Sequence, residues 1–265
     1  MHDRKVSRII TPGTLIDETF MDPYTNNYVL AIHIKETNTV NPSPSIGPIS
    51  DEPDTTFHQA ATPVGLAWLD LSTGYFYTEA GTLGSLSSAI SRIGPREIIL
   101  DKESQTESQD SVLLSVLAED KNLVAYCSPC HTRCIVDWLP MLEGRIPQST
   151  IEEFTPEEVS AGNILLHYVE TRLPGTSTKL QAPIRYHARD NMVIDRNTIR
   201  ALELKHKIGD GSNGGSRGTL LHAVRRTVTK SGARLLDEWL SMMLPPQYFP
   251  TSRANSHRRC TFYFT

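Results

Sequence analysis

The sequence predicts an α/β fold, a mixed sheet with helices, followed by a partial all-helical domain. Three observations lead there. Short apolar runs rich in β-branched residues alternate with helical stretches of about ten residues up to residue 174. A Ser72-Thr73-Gly74 break joins two strand-like runs into a hairpin. Beyond residue 180 the apolar residues recur at helical spacing.

The elements follow in order. RKVSRIITPGTLID (4–17) reads as a connecting strand and turn. Its Pro12-Gly13 pair favours a type II turn, in which glycine takes a positive φ without steric cost. NYVLAIHIK (27–35) is a strand, and VGLAWLDLSTGYFYTE (64–79) is the hairpin. Between them, residues 36–62 are rich in Pro, Ser, Thr and Asn and read as a disordered insertion. A helix at 82–93, a strand at 96–100, a helix near 107–119, a strand at 122–126 and a helix around 133–143 come next. This alternation requires crossover connections and a partly parallel sheet, with the hairpin at one side. Thr155-Pro156-Glu157-Glu158 starts a helix, because the Thr side chain, proline at the first position and Glu at the third suit unpaired backbone donors. Ala161, Leu165, Tyr168, Val169 and Leu173 give that helix one apolar face before Pro174-Gly175 ends it. After a linker at 174–182, Asp195 caps a helix bearing Ile199 and Leu202, and Thr219 one bearing Leu220, Val224 and Val228. Ser231 caps a third, with Leu235, Leu236, Trp239 and Leu240, and the domain boundary falls near residue 180.

Composition narrows the classes. A chain of 265 residues with 38% hydrophobic content can bury a core. The longest apolar runs fall far short of the roughly 20 residues of a membrane span, so a soluble protein with no membrane partner is expected. MHDRKVSRII carries neither a secretory apolar stretch nor the Ser/Arg-rich character of an organelle presequence, which implies a cytosolic or nuclear protein or a start that is not the native one. Charge is unevenly spread. From Leu180 onward there are 14 Lys and Arg against 6 Asp and Glu, and before it 12 against 24. Phosphate contact, if any, therefore belongs to the C-terminal third, with solvated helix faces as the plain alternative.

Several constellations suggest chemistry. Cys127-Ser128-Pro129-Cys130-His131 has the spacing of c-type haem attachment, and Cys134 adds a third thiol. No second Cys/His pair completes a zinc site, and His167 and His187 stand isolated, so cysteines at a strand end and helix start are the favoured reading. Gly209–Ser216 resembles a phosphate loop but has Gly215 where the loop needs lysine, and it reads as a flexible interhelical loop. Asp70, Glu97 and Asp101 lie on or beside strands, where clustered carboxylates can hold two metals for phosphodiester cleavage; solvated or capping acids are the commoner case. Arg225, Arg226, Lys230 and Arg234 form a basic cluster able to touch phosphates, although Arg234 can equally pair with Glu238 one turn on.

Four segments carry a resemblance. RKVSRIITPGTLID (4–17), VGLAWLDLSTGYF (64–76), MVIDRNTIRALEL (192–204) and GTLLHAVRRTVTKSGARLLDEWL (218–240) resemble, in this order, successive stretches of MutS-family DNA mismatch repair proteins. The resemblance implies a linker over 1–23 from a mismatch-binding domain, a connector domain over 24–178 with a ribonuclease-H-like sheet, the start of the core domain over 180–244, and a non-family tail over 245–265. The connector in that family communicates and does not cleave. The aromatic-X-Glu mismatch reader would precede residue 1, and the DNA clamp and ATPase motifs would follow residue 240, so an internal piece of a longer protein is expected. The resemblance further implies DNA contact through the parent, a MutL-type partner, a dimeric parent assembly, and ATP and Mg as the parent's cofactors with none held in this chain. Catalytic, cofactor and metal residues are accordingly expected to be none. The wording of the segments is closest to a fungal mitochondrial branch, so the expected location is mitochondrial or nuclear, leaning mitochondrial. The alternatives are a metal-dependent nuclease of ribonuclease-H-like fold and a Cys/His metal or haem binder.

Overall fold

The computed structural model describes residues 9–15, 22–35, 60–102, 113, 117, 123–127, 134–174, 179–188, 194–208 and 217–242. The chain divides into two compact units, one of Met1–Asp17, Asn27–Ile90 and Gly94–Tyr186, the other of Glu18–Asn26, Ser91–Ile93 and His187–Thr265. Residues 36–59 of the expected insertion, most of the helix expected near 107–119, and residues 243–265 lie outside the described residues.

The first unit is built on β1 (Tyr28–Ile34), β2 (Pro63–Asp70), β3 (Tyr75–Thr82), β4 (Glu97–Asp101), β5 (Leu123–Cys127) and β6 (Ile184–Arg185). Their order is β5-β4-β1-β2-β3-β6. β2 runs antiparallel to β1 and β3, while β4 is parallel to β1 and β5, and β6 is parallel to β3. This is the mixed sheet the sequence predicts. The β2–β3 turn also forms as predicted: Thr73 and Gly74 N–H donate to the Asp70 carbonyl at 3.2 and 2.8 Å, and Gly74 takes φ 74°. β1 and β2 do not alternate in burial as half-buried strands do. Val29 through Ile32 and Val64 through Asp70 are buried at every position. They are central strands, covered on both faces, where continuous apolar runs are the rule.

Register assigns the faces, since directly paired residues point to the same side of a sheet. Val29, Ala31, Ala67, Leu69, Phe76 and Ile99 share one face and join Ala161, Leu165, Tyr168 and Val169 in a single core cluster. Leu30, Ile32, Leu66, Trp68, Ile98 and Leu100 are buried on the other, where Trp68 stacks on Tyr77 with ring centroids 5.4 Å apart.

α1 (Leu86–Ile93) follows a 3-10 turn, Leu83–Ser85, and ends at Gly94 with φ 64°. The helix expected around 133–143 forms as a 3-10 helix, Ile135–Met141; Pro140 inside it has no N–H to continue an α ladder. α2 (Gln148–Glu153) leads into α3 (Pro156–Arg172), which packs across β2 and β1. Thr155 and Glu158 form the capping box expected at its start. Gly162 in mid-helix costs about 1 kcal/mol relative to alanine, and the neighbour explains it. A Cβ there would lie 2.5 Å from two carbons of the Trp138 indole, whose Nε1–H donates to Asn163 Oδ1 at 2.7 Å.

Two expectations in the sheet unit need correction. Thr11 and Thr14 do close a turn, through Thr14 N–H to Thr11 carbonyl at 3.1 Å, but Gly13 is not among the positive-φ glycines, so the turn is not type II. Glycine is required there by proximity: a Cβ would fall 2.9 Å from both Val29 Cβ and Glu97 Oε2. Leu180, read as linker, is fully buried in the core, and its N–H and carbonyl bond to Met141 and Glu143 at 2.8 and 2.7 Å.

The second unit holds α4 (Arg196–Ala201), α5 (Leu220–Val224) and α6 (Lys230–Met242). Asp195 and Thr219 cap α4 and α5 as predicted, accepting from Thr198 and His222 N–H. At α6 the cap is not Ser231: Thr229 Oγ1 accepts the Gly232 N–H at 3.0 Å, which places Ser231 inside the first turn. Val228 lies outside α5 and is 96% exposed.

Candidate functional site

Among the described residues of the sheet unit, the most deeply buried carboxylates are Asp70, Glu97 and Glu158. A buried charge is tolerated only when polar partners replace its water, so the partners reveal what each acid does.

Glu97 opens β4 on the face covered by α3. Tyr168 Oη donates to its Oε1 at 2.6 Å, and the Gly13 N–H donates to its Oε2 at 3.0 Å. Arg172 lies 5.0 Å from the centre of the Tyr168 ring. One carboxylate thus joins the entering chain to the sheet and to α3.

Asp70 ends β2. Its Oδ2 accepts from the Asn27 N–H at 3.1 Å and its Oδ1 from Ser72 N–H and Oγ at 2.8 and 2.6 Å. Glu158 is fully buried and lies between three elements. It receives Thr155 N–H at 2.9 Å, Thr78 Oγ1 at 3.3 Å, and the Arg185 guanidinium from β6, with NH2 at 2.9 Å. Sequence reasoning assigned Glu158 to the capping box and missed the ion pair. A signal was present, because residue 158 falls on the same helical stripe as Ala161, Leu165 and Tyr168, where an acid needs a partner.

These contacts decide against a metal cluster on the sheet. Tyr28 pairs with Asp70 and Val29 with Glu97, which puts the two acids on opposite faces. With β1 between their strands, their Cα atoms are also about 10 Å apart. Asp101 shares a face with Glu97 but lies four residues along β4, a rise of about 13 Å. The three acids of the nuclease reading do not converge, and among the described residues no group of three His, Cys, Asp or Glu side chains could hold a metal.

Burial and the Glu97 carboxylate push the Tyr168 phenol up to about 12 from its ordinary value of 10. A raised folded-state value favours the protonated form in the fold, so this stabilisation is complete below the unfolded value and is lost as pH rises through 10 towards 12. Ultraviolet titration of the phenols should show one tyrosine ionising near pH 12, and the Tyr168→Phe chain should lack that step. A step that persists in the variant contradicts the assignment.

The remaining constellations are placed as follows. Cys127 ends β5 and is buried, while Cys134 precedes the 3-10 helix and is exposed. Cys130 and His131 lie outside the described residues, as does the glycine-rich stretch 209–216. In the basic cluster, Arg225 stacks 4.8 Å from the centre of the Tyr24 ring and Arg234 Nε donates to the Pro23 carbonyl at 3.0 Å. Arg234 holds a segment of its own unit, a contact that helical spacing does not reveal. Arg226 and Lys230 are exposed.

The chain matches two family profiles, MutS domain II over residues 52–134 and MutS domain III over residues 197–242. It is similar to the DNA mismatch repair protein MutS of Anaplasma phagocytophilum, 29% identical over 243 residues, and of Rhodopseudomonas palustris strain BisA53, 31% identical over 245. It is likewise 29% identical over 247 residues to that of Wolbachia pipientis wMel. These alignments cover 90%, 91% and 91% of this chain and 25%, 24% and 25% of the respective relatives. The chain therefore spans about a quarter of the length of the curated relatives it matches.

Proposed function

The chain belongs to the MutS family, and from that premise we propose that it supplies the interdomain connector and partner-docking part of a mismatch-repair protein. The observation that supports this reading most directly is the use made of Asp70, Glu97 and Glu158. Glu97 ties the entering segment and α3 to the sheet, Glu158 joins α3 to β6, Asp70 fastens Asn27 to the end of β2, and they do not gather at one open site. In this reading, mispair recognition and ATP-driven switching belong to the longer protein, which contacts DNA, assembles as a dimer and uses ATP and Mg. The docked partner is a MutL-type protein. A mitochondrial location, with a nuclear one as the alternative, completes the proposal.

Titrating the purified chain with the MutL-type protein of the same organism tests docking. Saturable binding is expected, and no binding at concentrations where the long MutS protein binds would overturn the proposal. The chain alone should hydrolyse no ATP and should bind mismatched and matched duplex equally. Hydrolysis that survives repurification, or a tenfold preference for the mispair, about 1.4 kcal/mol, would refute this division of labour.

A further inference from the structure

The entering segment, residues 9–15, is held to the sheet unit in an unusual way. Among the described contacts it has one backbone bond outside itself made by a donor of its own to a main-chain acceptor, Ile9 N–H to the Arg172 carbonyl at 2.8 Å. It forms no strand, and none of its large apolar side chains is fully buried: Ile9 and Ile10 are 42% and 49% exposed and Leu15 is half-buried. What fastens it is polar and buried. Gly13 N–H donates to one oxygen of Glu97 and Tyr168 donates to the other, so a single buried carboxylate ties the segment to the sheet and to α3. Asn27 Nδ2 adds a bond of 3.3 Å to the Leu15 carbonyl.

Apolar burial sets most of the free energy needed to open a segment, and this segment buries little at Ile9 and Ile10. We infer that residues 9–15 form a strap that opens from the sheet as one unit without unfolding it, and that the Glu97–Tyr168 pair is its catch. The sheet does not depend on the strap: the ladders of β1 with β2 and β4 contain none of its residues. When shut, the catch also fixes the approach of the backbone, because the Gly13 Cα lies against Val29 with no room for a side chain. The strap is therefore a switchable joint between the sheet and whatever chain is attached ahead of it. This goes beyond the docking role and does not depend on it.

Amide hydrogen exchange on the full 265-residue chain tests the inference. Gly13 and Ile9 N–H should exchange faster than Leu30 and Ile32 N–H in β1. Tyr168→Phe, which removes the donor to Glu97, should accelerate Gly13 and Ile9 by about tenfold while β1 changes less. Glu97→Gln should keep much of the protection, since its carbonyl can accept from Gly13 and its amide can donate to the Tyr168 oxygen. The inference is overturned if Gly13 and β1 accelerate by one common factor in these variants, which would mean that the strap opens only with global unfolding. It is equally overturned if Tyr168→Phe leaves Gly13 exchange unchanged.

Discussion

Replacing Gly65 by alanine is expected to destabilise the sheet unit by about 3 kcal/mol, the upper end of what forced overpacking costs. A Cβ at this position would lie 1.9 Å from the Glu157 carbonyl oxygen, 2.1 Å from its carbon and 2.7 Å from the Glu158 nitrogen. These are backbone atoms in the first turn of α3, so no side-chain rotation relieves the overlap. Nor can β2 retreat easily, because Gly65 is paired with His33 on one side and Ala80 on the other. Moving α3 instead would disturb the Thr155–Glu158 capping box and the Arg185 ion pair together. Urea unfolding followed by far-ultraviolet circular dichroism measures the loss. Gly144→Ala is the control, since no atom lies within 4 Å of its ideal Cβ, and it should change stability by no more than about 0.5 kcal/mol. A Gly65→Ala chain as stable as the control would contradict the packing of α3 on β2.

Arg185→Met carries the second large effect, again about 3 kcal/mol. Glu158 is fully buried and Arg185 partly so, with side-chain exposures of 0% and 18%. Removing the cation leaves a carboxylate without its charged partner in an apolar setting, and breaking such a pair typically costs about 3–5 kcal/mol. The lower end applies because Thr155 N–H and Thr78 Oγ1 still donate to the acid and because Arg185 keeps some contact with water. The double variant Arg185→Met with Glu158→Leu should recover part of the loss, since no unpaired charge remains, but not all of it, because the capping box goes as well. A double variant less stable than Arg185→Met alone would show that the acid contributes mainly through the cap.

The sheet was legible because its strands are short apolar runs separated by turn residues or helices, a pattern that survives without any knowledge of neighbours. The hairpin at Ser72-Thr73-Gly74 and the start of α3 at Thr155 are local events, and local chemistry predicts them. β6 was not legible: Ile184 and Arg185 make a two-residue strand whose existence depends on Tyr77 and Thr78, about a hundred residues earlier. Leu180 was misread for the same reason, since Pro, Gly, Ser and Thr around it look like linker while its burial depends on Met141 and Glu143. The candidate acids show the limit most clearly. Asp70, Glu97 and Asp101 were visible as carboxylates on strands, but strand register alone separates Asp70 onto the opposite face from the other two. Their bonding to Gly13, Asn27 and Ser72 is long-range or turn-specific, and periodicity carries no record of it.

The seating of Trp138 against Gly162 has an optical consequence. Its indole is 1% exposed and that of Trp68 2%, whereas Trp239 in the second unit is 39% exposed. Emission from the first two should be blue-shifted and shielded from iodide, and that from the third red-shifted and quenchable. Light absorbed by one molecule thus returns two colours, each reporting on a different compact unit, so their separate melting can be followed without any added dye.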